Sequence, residues 1–152
     1  MSMPADAVID KACARHGASP TEEPGPICLN ILLAEDDDAD AYLITEALMK
    51  LDRVVSVMRA RDGVEAMHMI DSGAISPHLA IVDLHMPRMN GFMLLLEFAC
   101  RYEDHFPCAV LTSSIASVDH IRSKMRGAFH VLTKPESIAE METALSEVVE
   151  AI

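Results

Sequence analysis

The stretch ICLNILLAEDDDADAYLITEALMKL, residues 27–51, decides the fold. Residues 27–34 are mostly apolar, the composition of a strand covered on both faces. Three acidic residues follow, Glu35, Asp36 and Asp37, and then a helical spacing takes over. It predicts a helix over 39–51 with Leu43, Ala47, Leu48 and Leu51 on one face and Asp38 as N-cap. A doubly buried strand, an acidic turn and an amphipathic helix in direct succession make one unit of a parallel sheet.

The same succession recurs downstream. Residues 54–60 read as a strand, and 63–72 as a helix with Val64, Met67 and Ile70 inward, stopped by Gly73. A third strand is expected over 79–82 after Pro77, a third helix over 91–101, and a fourth strand over 108–111 after Pro107. Residues 117–126 read as a helix with Val118, Ile121 and Met125 inward, 129–133 as a fifth strand. The last helix, 137–152, aligns Ile138, Met141, Leu145, Val148 and Ile152. Five strands alternating with five helices predict an α/β fold, a doubly wound five-stranded parallel sheet with right-handed crossovers.

Residues 1–26 differ in character and read as an extension joined by a Pro-rich linker (Pro20, Pro24, Pro26) to a domain over 27–152. Ala5, Val8, Ile9, Ala12 and His16 share one helical face, so either a short helix or a disordered tail is expected there. With 152 residues, 51% hydrophobic and 24% charged, the chain suits one domain and excludes bulk disorder. Its net charge of −12 repels phosphate backbones and anionic lipid, so neither nucleic acid nor a membrane surface is an expected partner. No apolar run approaches the ~18 residues a membrane span needs. The N-terminus has no basic segment leading into an apolar one, so no secretory signal is read. Cys13, Cys28, Cys100 and Cys108 contain no CxxC pair, and reduced, mostly buried thiols in a cytoplasmic protein are expected. Cys100, His105 and Cys108 lack a fourth ligand at zinc spacing.

Ligands of doubly wound sheets bind at the carboxyl ends of the strands. The first strand ends in Glu35 and Asp36, the third in Asp83, the fourth in Thr112, and the fifth in Thr133, Lys134 and Pro135. The second ends in Ala60 and Arg61, which offers little. Crowded carboxylates repel unless a cation joins them, and an all-oxygen set suits Mg²⁺. A lysine and a hydroxyl beside a metal-bound carboxylate are the parts that hold a phosphoryl group, and the carboxylate can itself be the nucleophile. The physics points to magnesium-dependent phosphoryl chemistry on an aspartate. Asp37 reads as a turn or cap residue and not a ligand.

These residues also carry a resemblance. Glu35-Asp36-Asp37, the segment from Asp83 through Pro87 to Gly91, Thr112-Ser113 and Lys134-Pro135 resemble the receiver domain of two-component response regulators, in order and in spacing. The resemblance covers about residues 27–152 and implies a flavodoxin-like strand order 2-1-3-4-5. It implies that Asp83 accepts a phosphoryl group from a sensor histidine kinase or histidine phosphotransfer protein. It further implies Mg²⁺ held by Asp36, Asp83 and the backbone carbonyl of His85, with Glu35 acting through water. Lys134 would pair with a phosphoryl oxygen, Thr112 would hydrogen-bond it, and the Lys134–Pro135 bond would be cis. Many members carry an aromatic residue three positions before the lysine, where this chain has Val131.

The chain stops at the fifth helix, and a single-domain response regulator is expected, acting by protein contact or by passing the phosphoryl group onward. Basic residues on the fourth helix (His120, Arg122, Lys124, Arg126) and acidic ones on the last (Glu136, Glu140, Glu142, Glu147, Glu150) suggest a homodimer through the helix 4–strand 5–helix 5 face. Two other readings compete. An aspartate-nucleophile phosphatase would want a second acid where His85 stands. A pseudo-receiver would bind partners without phosphorylation, against which the complete acid, threonine and lysine set argues.

Overall fold

The computed structural model describes residues 9–10, 28–102 and 105–152. Its strands are β1 (Ile9–Asp10), β2 (Leu29–Ala34), β3 (Val54–Ala60), β4 (Leu79–Val82), β5 (Cys108–Thr112) and β6 (His130–Thr133). Between and after them run α1 (Asp38–Met49), α2 (Gly63–Asp71), α3 (Gly91–Arg101), α4 (Ser117–Met125) and α5 (Ile138–Glu150). The sheet order is β1-β3-β2-β4-β5-β6, and all pairs are parallel except β1 with β3. The five parallel strands thus have the expected order 2-1-3-4-5 with five helices, a flavodoxin-like fold.

Side chains alternate across a strand, so each central strand feeds two cores. Leu32, Ala34, Ala80, Val82 and Val110 pack with α2 and α3 on one face. Ile31, Leu33, Leu79, Ile81, Ala109 and Leu111 pack with α1 and α5 on the other. The unbroken apolar runs at 31–34 and 79–82 follow from this double coverage, while half-buried Asn30 near the start of β2 accepts from Ser56 Oγ.

The helix faces need correction. Asp37, not Asp38, caps α1, its side chain accepting from Asp40 N–H at 2.8 Å. Ala41 and Ile44 are buried in α1 while Leu43 faces solvent, and Val64 and Ile138 are likewise exposed. The largest departure is α4. Val118, Ile121 and Met125 were expected inward, yet they are 62%, 58% and 80% exposed, and the one buried residue of this helix is Ser123. The inward side is polar and satisfied. Ser123 Oγ donates to Asp119 O, His120 Nε2 lies 3.1 Å from Ser114 O, and Arg126 just past the helix donates to Phe92 O. The rule that the apolar stripe turns inward assumes polar side chains find no partners there; here they do.

Ile9 and Asp10, expected in either a short helix or a disordered tail, instead form β1, with Ile9 opposite Val57 and Asp10 opposite Ser56. An edge strand offers unpaired backbone groups, and a helix of that length is marginal alone. The rest of the expected helix, and the Pro-rich linker, lie outside the described residues. Cys28 is disulfide-bonded, contrary to the expectation of reduced thiols, because a rule about compartment does not see which thiols the fold brings together. Cys100 is free and exposed, and Cys108 free and buried. No helix among the described residues is long and apolar enough to cross a membrane.

Candidate functional site

β2 and β4 are parallel neighbours with Ala34 opposite Val82, so the residue after each meets the other. Asp83 N–H donates to Ala34 O at 2.9 Å, and Glu35 N–H donates to Ala60 O at 3.0 Å, carrying the ladder one step past the strands. The carboxylates of Glu35, Asp36 and Asp83 consequently each place an oxygen within 4.8 Å of the others. Glu35 and Asp83 are buried and Asp36 is exposed.

The next strands supply the rest. Thr112 ends β5 fully buried, its Oγ1 accepting from Ser114 N–H at 3.1 Å. Thr112 stands opposite Thr133 of β6, and the following Lys134 N–H donates to Thr112 O at 2.6 Å. The Lys134 ammonium lies 2.7 Å from Glu35 Oε2 and 3.7 Å from Asp83 Oδ2, and donates to Asp40 Oδ2 at 2.8 Å. The expected cis bond is not found: Lys134–Pro135 is trans, as are all peptide bonds among the described residues. Lys134 is held instead by Glu35, just past β2, and by Asp40 of α1.

Glu35, Asp36, Asp83 and Lys134 are therefore brought together, with Thr112 at the neighbouring strand end. The His85 side chain is exposed and stands outside the acidic cluster, while its backbone N–H serves the Asp83 carboxylate. Asp37 is a helix cap, as the sequence indicates.

Burial governs the electrostatics. Desolvation pushes Glu35 up to about 7, with the neighbouring Asp83 charge adding to it, against the pull of Lys134. Asp83 is pushed up by burial too, and Lys134 opposes that rise. Burial works against the Lys134 ammonium, but its bonds to Asp40 and Glu35 outweigh it and hold the proton more firmly than usual. Asp83 Oδ1 is buried without a hydrogen-bond partner. An orphaned acceptor costs about 1–3 kcal/mol, and a cation beside it removes that cost. Three crowded carboxylates, with Asp83 Oδ1 orphaned and Glu35 Oε2 held only by its ion pair with Lys134, fit a hard divalent cation.

Two positions escaped the sequence reading. Arg59 of β3 donates from Nε to Glu35 O at 2.9 Å, from one terminal nitrogen to Asp36 O at 3.1 Å, and from the other to Asp38 Oδ1 at 2.7 Å. It fastens the backbone that carries the acidic pair. The available signal was a lone guanidinium in the strand VVSVMRA, one residue short of the strand end that drew attention. Asp40 was the second, hidden in the first turn of α1 among helix-favouring carboxylates.

The profile of the response regulator receiver domain matches residues 31–146. A curated relative, the sensor histidine kinase CheAY of Helicobacter pylori, is 28% identical over 109 residues, which make up 70% of this chain and 13% of that relative. Among solved structures, the phosphorylated cyanobacterial phytochrome response regulator RcpA superposes with a TM-score of 0.74 at 29% identity, covering 81% of this chain and 92% of that one. The Mn²⁺-bound response regulator Rcp1 superposes with a TM-score of 0.70 at 27% identity, covering 79% and 91%.

Proposed function

The chain belongs to the response regulator receiver domain family of two-component signalling, and from that premise we propose that Asp83 is its phosphoryl acceptor. The observation that carries this reading is the buried, orphaned Asp83 Oδ1 with Glu35, Asp36 and Lys134 about it. In this proposal the receiver domain spans residues 27–152, with residues 1–26 as an extension.

An Asp83 oxygen attacks the phosphorus of a phosphohistidine on a histidine kinase or phosphotransfer protein. The phosphorus–nitrogen bond breaks, its electron pair stays with the imidazole, and an aspartyl phosphate remains. Hydrolysis reverses the change: water attacks phosphorus, the Asp83 oxygen leaves, and inorganic phosphate departs. Mg²⁺ bound by Asp36, Asp83 and the His85 carbonyl, with Glu35 through water, would neutralise charge developing on the transferred group. Lys134 sits where its ammonium reaches a phosphoryl oxygen, and Thr112 would exchange its Ser114 bond for another. The Mn²⁺ in Rcp1 and the oxygen-only donor set here support the cation assignment.

In this reading the chain is a cytoplasmic signalling protein, not an enzyme with a separate substrate, and its receiver domain acts by contact or by relay. The outward apolar row of α4, flanked by Arg122 and Lys124, and the acidic α5 support a homodimer through α4, β6 and α5.

Incubation with acetyl phosphate and Mg²⁺, read by intact mass, tests the proposal. Wild type should gain one phosphoryl group and Asp83→Asn none. A wild type left unmodified by acetyl phosphate and by a panel of phosphorylated histidine kinases would replace this reading with a phosphorylation-independent binding module. A size-exclusion shift on phosphorylation supports the homodimer, and an unchanged size removes it.

A further inference from the structure

We propose that Asp40 is a positioning residue that holds Lys134 in its resting place and must surrender the lysine when Asp83 is phosphorylated, an inference that rests on the phospho-acceptor reading above. An ammonium has three donors and no acceptor. Lys134 is shared among three carboxylates, and they do not hold it equally. Asp40 accepts a hydrogen bond at 2.8 Å and Glu35 forms a close ion pair at 2.7 Å, whereas Asp83 at 3.7 Å lies beyond hydrogen-bond range. The lysine that should serve Asp83 therefore rests on other partners.

Glu35 has a second task, because its carboxylate belongs to the cluster suited to a cation. Asp40 does not belong to that cluster, so its contribution to the site passes through Lys134 alone. The lysine side chain is only 9% exposed, which makes the choice of partner a competition inside the site with little help from water. Asp40 itself is 41% exposed and is the third residue of α1. A partly hydrated single carboxylate is the weaker claimant once a phosphoryl group stands on Asp83. Until then it is the stronger, because Asp83 is out of range. Asp40 thus acts as a counterweight that lowers the occupancy of the phosphorylated state.

The test is a double-mutant cycle read by binding of beryllofluoride, which occupies the place of a phosphoryl group on an aspartate. Wild type, Asp40→Asn, Lys134→Ala and the double variant are titrated with beryllofluoride and Mg²⁺ and followed by fluorine NMR. Asp40→Asn should bind about tenfold more tightly than wild type, the scale of one hydrogen bond between charged groups. In the Lys134→Ala background the same change should alter affinity less than about twofold, since the partner it releases is gone. Equal tightening in both backgrounds would mean that Asp40 acts only as a nearby charge and would overturn the proposal, as would no tightening in either.

A second readout needs neither metal nor phosphoryl mimic. In protein labelled with ¹⁵N-lysine, the Lys134 ammonium signal, assigned by its loss in Lys134→Ala, should move in Asp40→Asn. An unmoved signal refutes the hold. Failure of wild type to bind beryllofluoride would count against the phospho-acceptor reading, while the ammonium signal still reports on Asp40.

Discussion

A Cβ added to Gly91 would collide with the carbonyl oxygen of Asp83 and lie 2.7 Å from Leu84 Cα. The first residue of α3 therefore rests directly on the backbone that presents Asp83, and Gly91 N–H donates to Leu84 O at 3.0 Å. Neither neighbour is a flexible side-chain tip that can swing aside.

Gly91→Ala should accordingly destabilise the fold by about 1–3 kcal/mol, the usual cost of overpacking, and slow phosphorylation of Asp83 by displacing it. Urea denaturation and the rate of mass gain with acetyl phosphate measure the two effects. Wild-type stability in this variant would show that the contact relaxes freely.

Arg59 is expected to matter for cation binding without touching the cation. Its three bonds fix the carbonyls of Glu35 and Asp36 and the side chain of Asp38, whose carboxyl it holds below the usual range together with Arg61. Arg59→Ala should cost about 2 kcal/mol of stability and weaken Mg²⁺ severalfold by freeing the acidic loop. Calorimetric titration with Mg²⁺ would contradict this if the affinity were unchanged.

The raised Glu35 carboxyl gives a pH dependence with a definite sign. Between the ordinary value of 4.5 and about 7 the folded chain keeps a proton that the unfolded chain has released. Stability of the metal-free protein should thus fall as pH rises across that window, by on the order of 2 kcal/mol, and level off above it. Glu35→Gln should lack this component, and Mg²⁺ should offset it by favouring the ionised form. Denaturation in chelator at a series of pH values decides, and parallel curves for the two proteins would refute the assignment.

The reversed face of α4 is tested by substitution. Ile121→Ser and Met125→Glu should change monomer stability by no more than about 0.5 kcal/mol, as exposed positions do. Ser123→Leu, at a fully buried position, should cost about 1–3 kcal/mol. The opposite ranking in thermal unfolding would restore the inward apolar face.

Strand and helix order were legible because each central strand is buried on both faces, and the unbroken runs at 31–34 and 79–82 state this directly. The acidic cluster was legible because a parallel ladder places the residues after Ala34 and Val82 side by side. Periodicity misled at α4, where polar residues find inward partners that no pattern in the helix itself announces. Arg59 and Asp40 were missed for a related reason: each acts across elements, from β3 to the acidic loop and from α1 to β6. Such contacts depend on tertiary placement, and local spacing carries no trace of them.

The energetic footing of α4 sets it apart from the other helices. It gives no residue to either core, and its hold on the domain consists largely of hydrogen bonds that water can replace. Detaching it would unstack Arg122 from the Phe92 ring but take no side chain out of either core, whereas lifting α1 or α3 would open one. Its amides should therefore exchange with solvent through a local excursion far below the global unfolding free energy, leaving the sheet intact. The helix next to Thr112 should therefore be displaced more cheaply than α1 or α3, and a modest rearrangement at the β5 end should suffice to shift it.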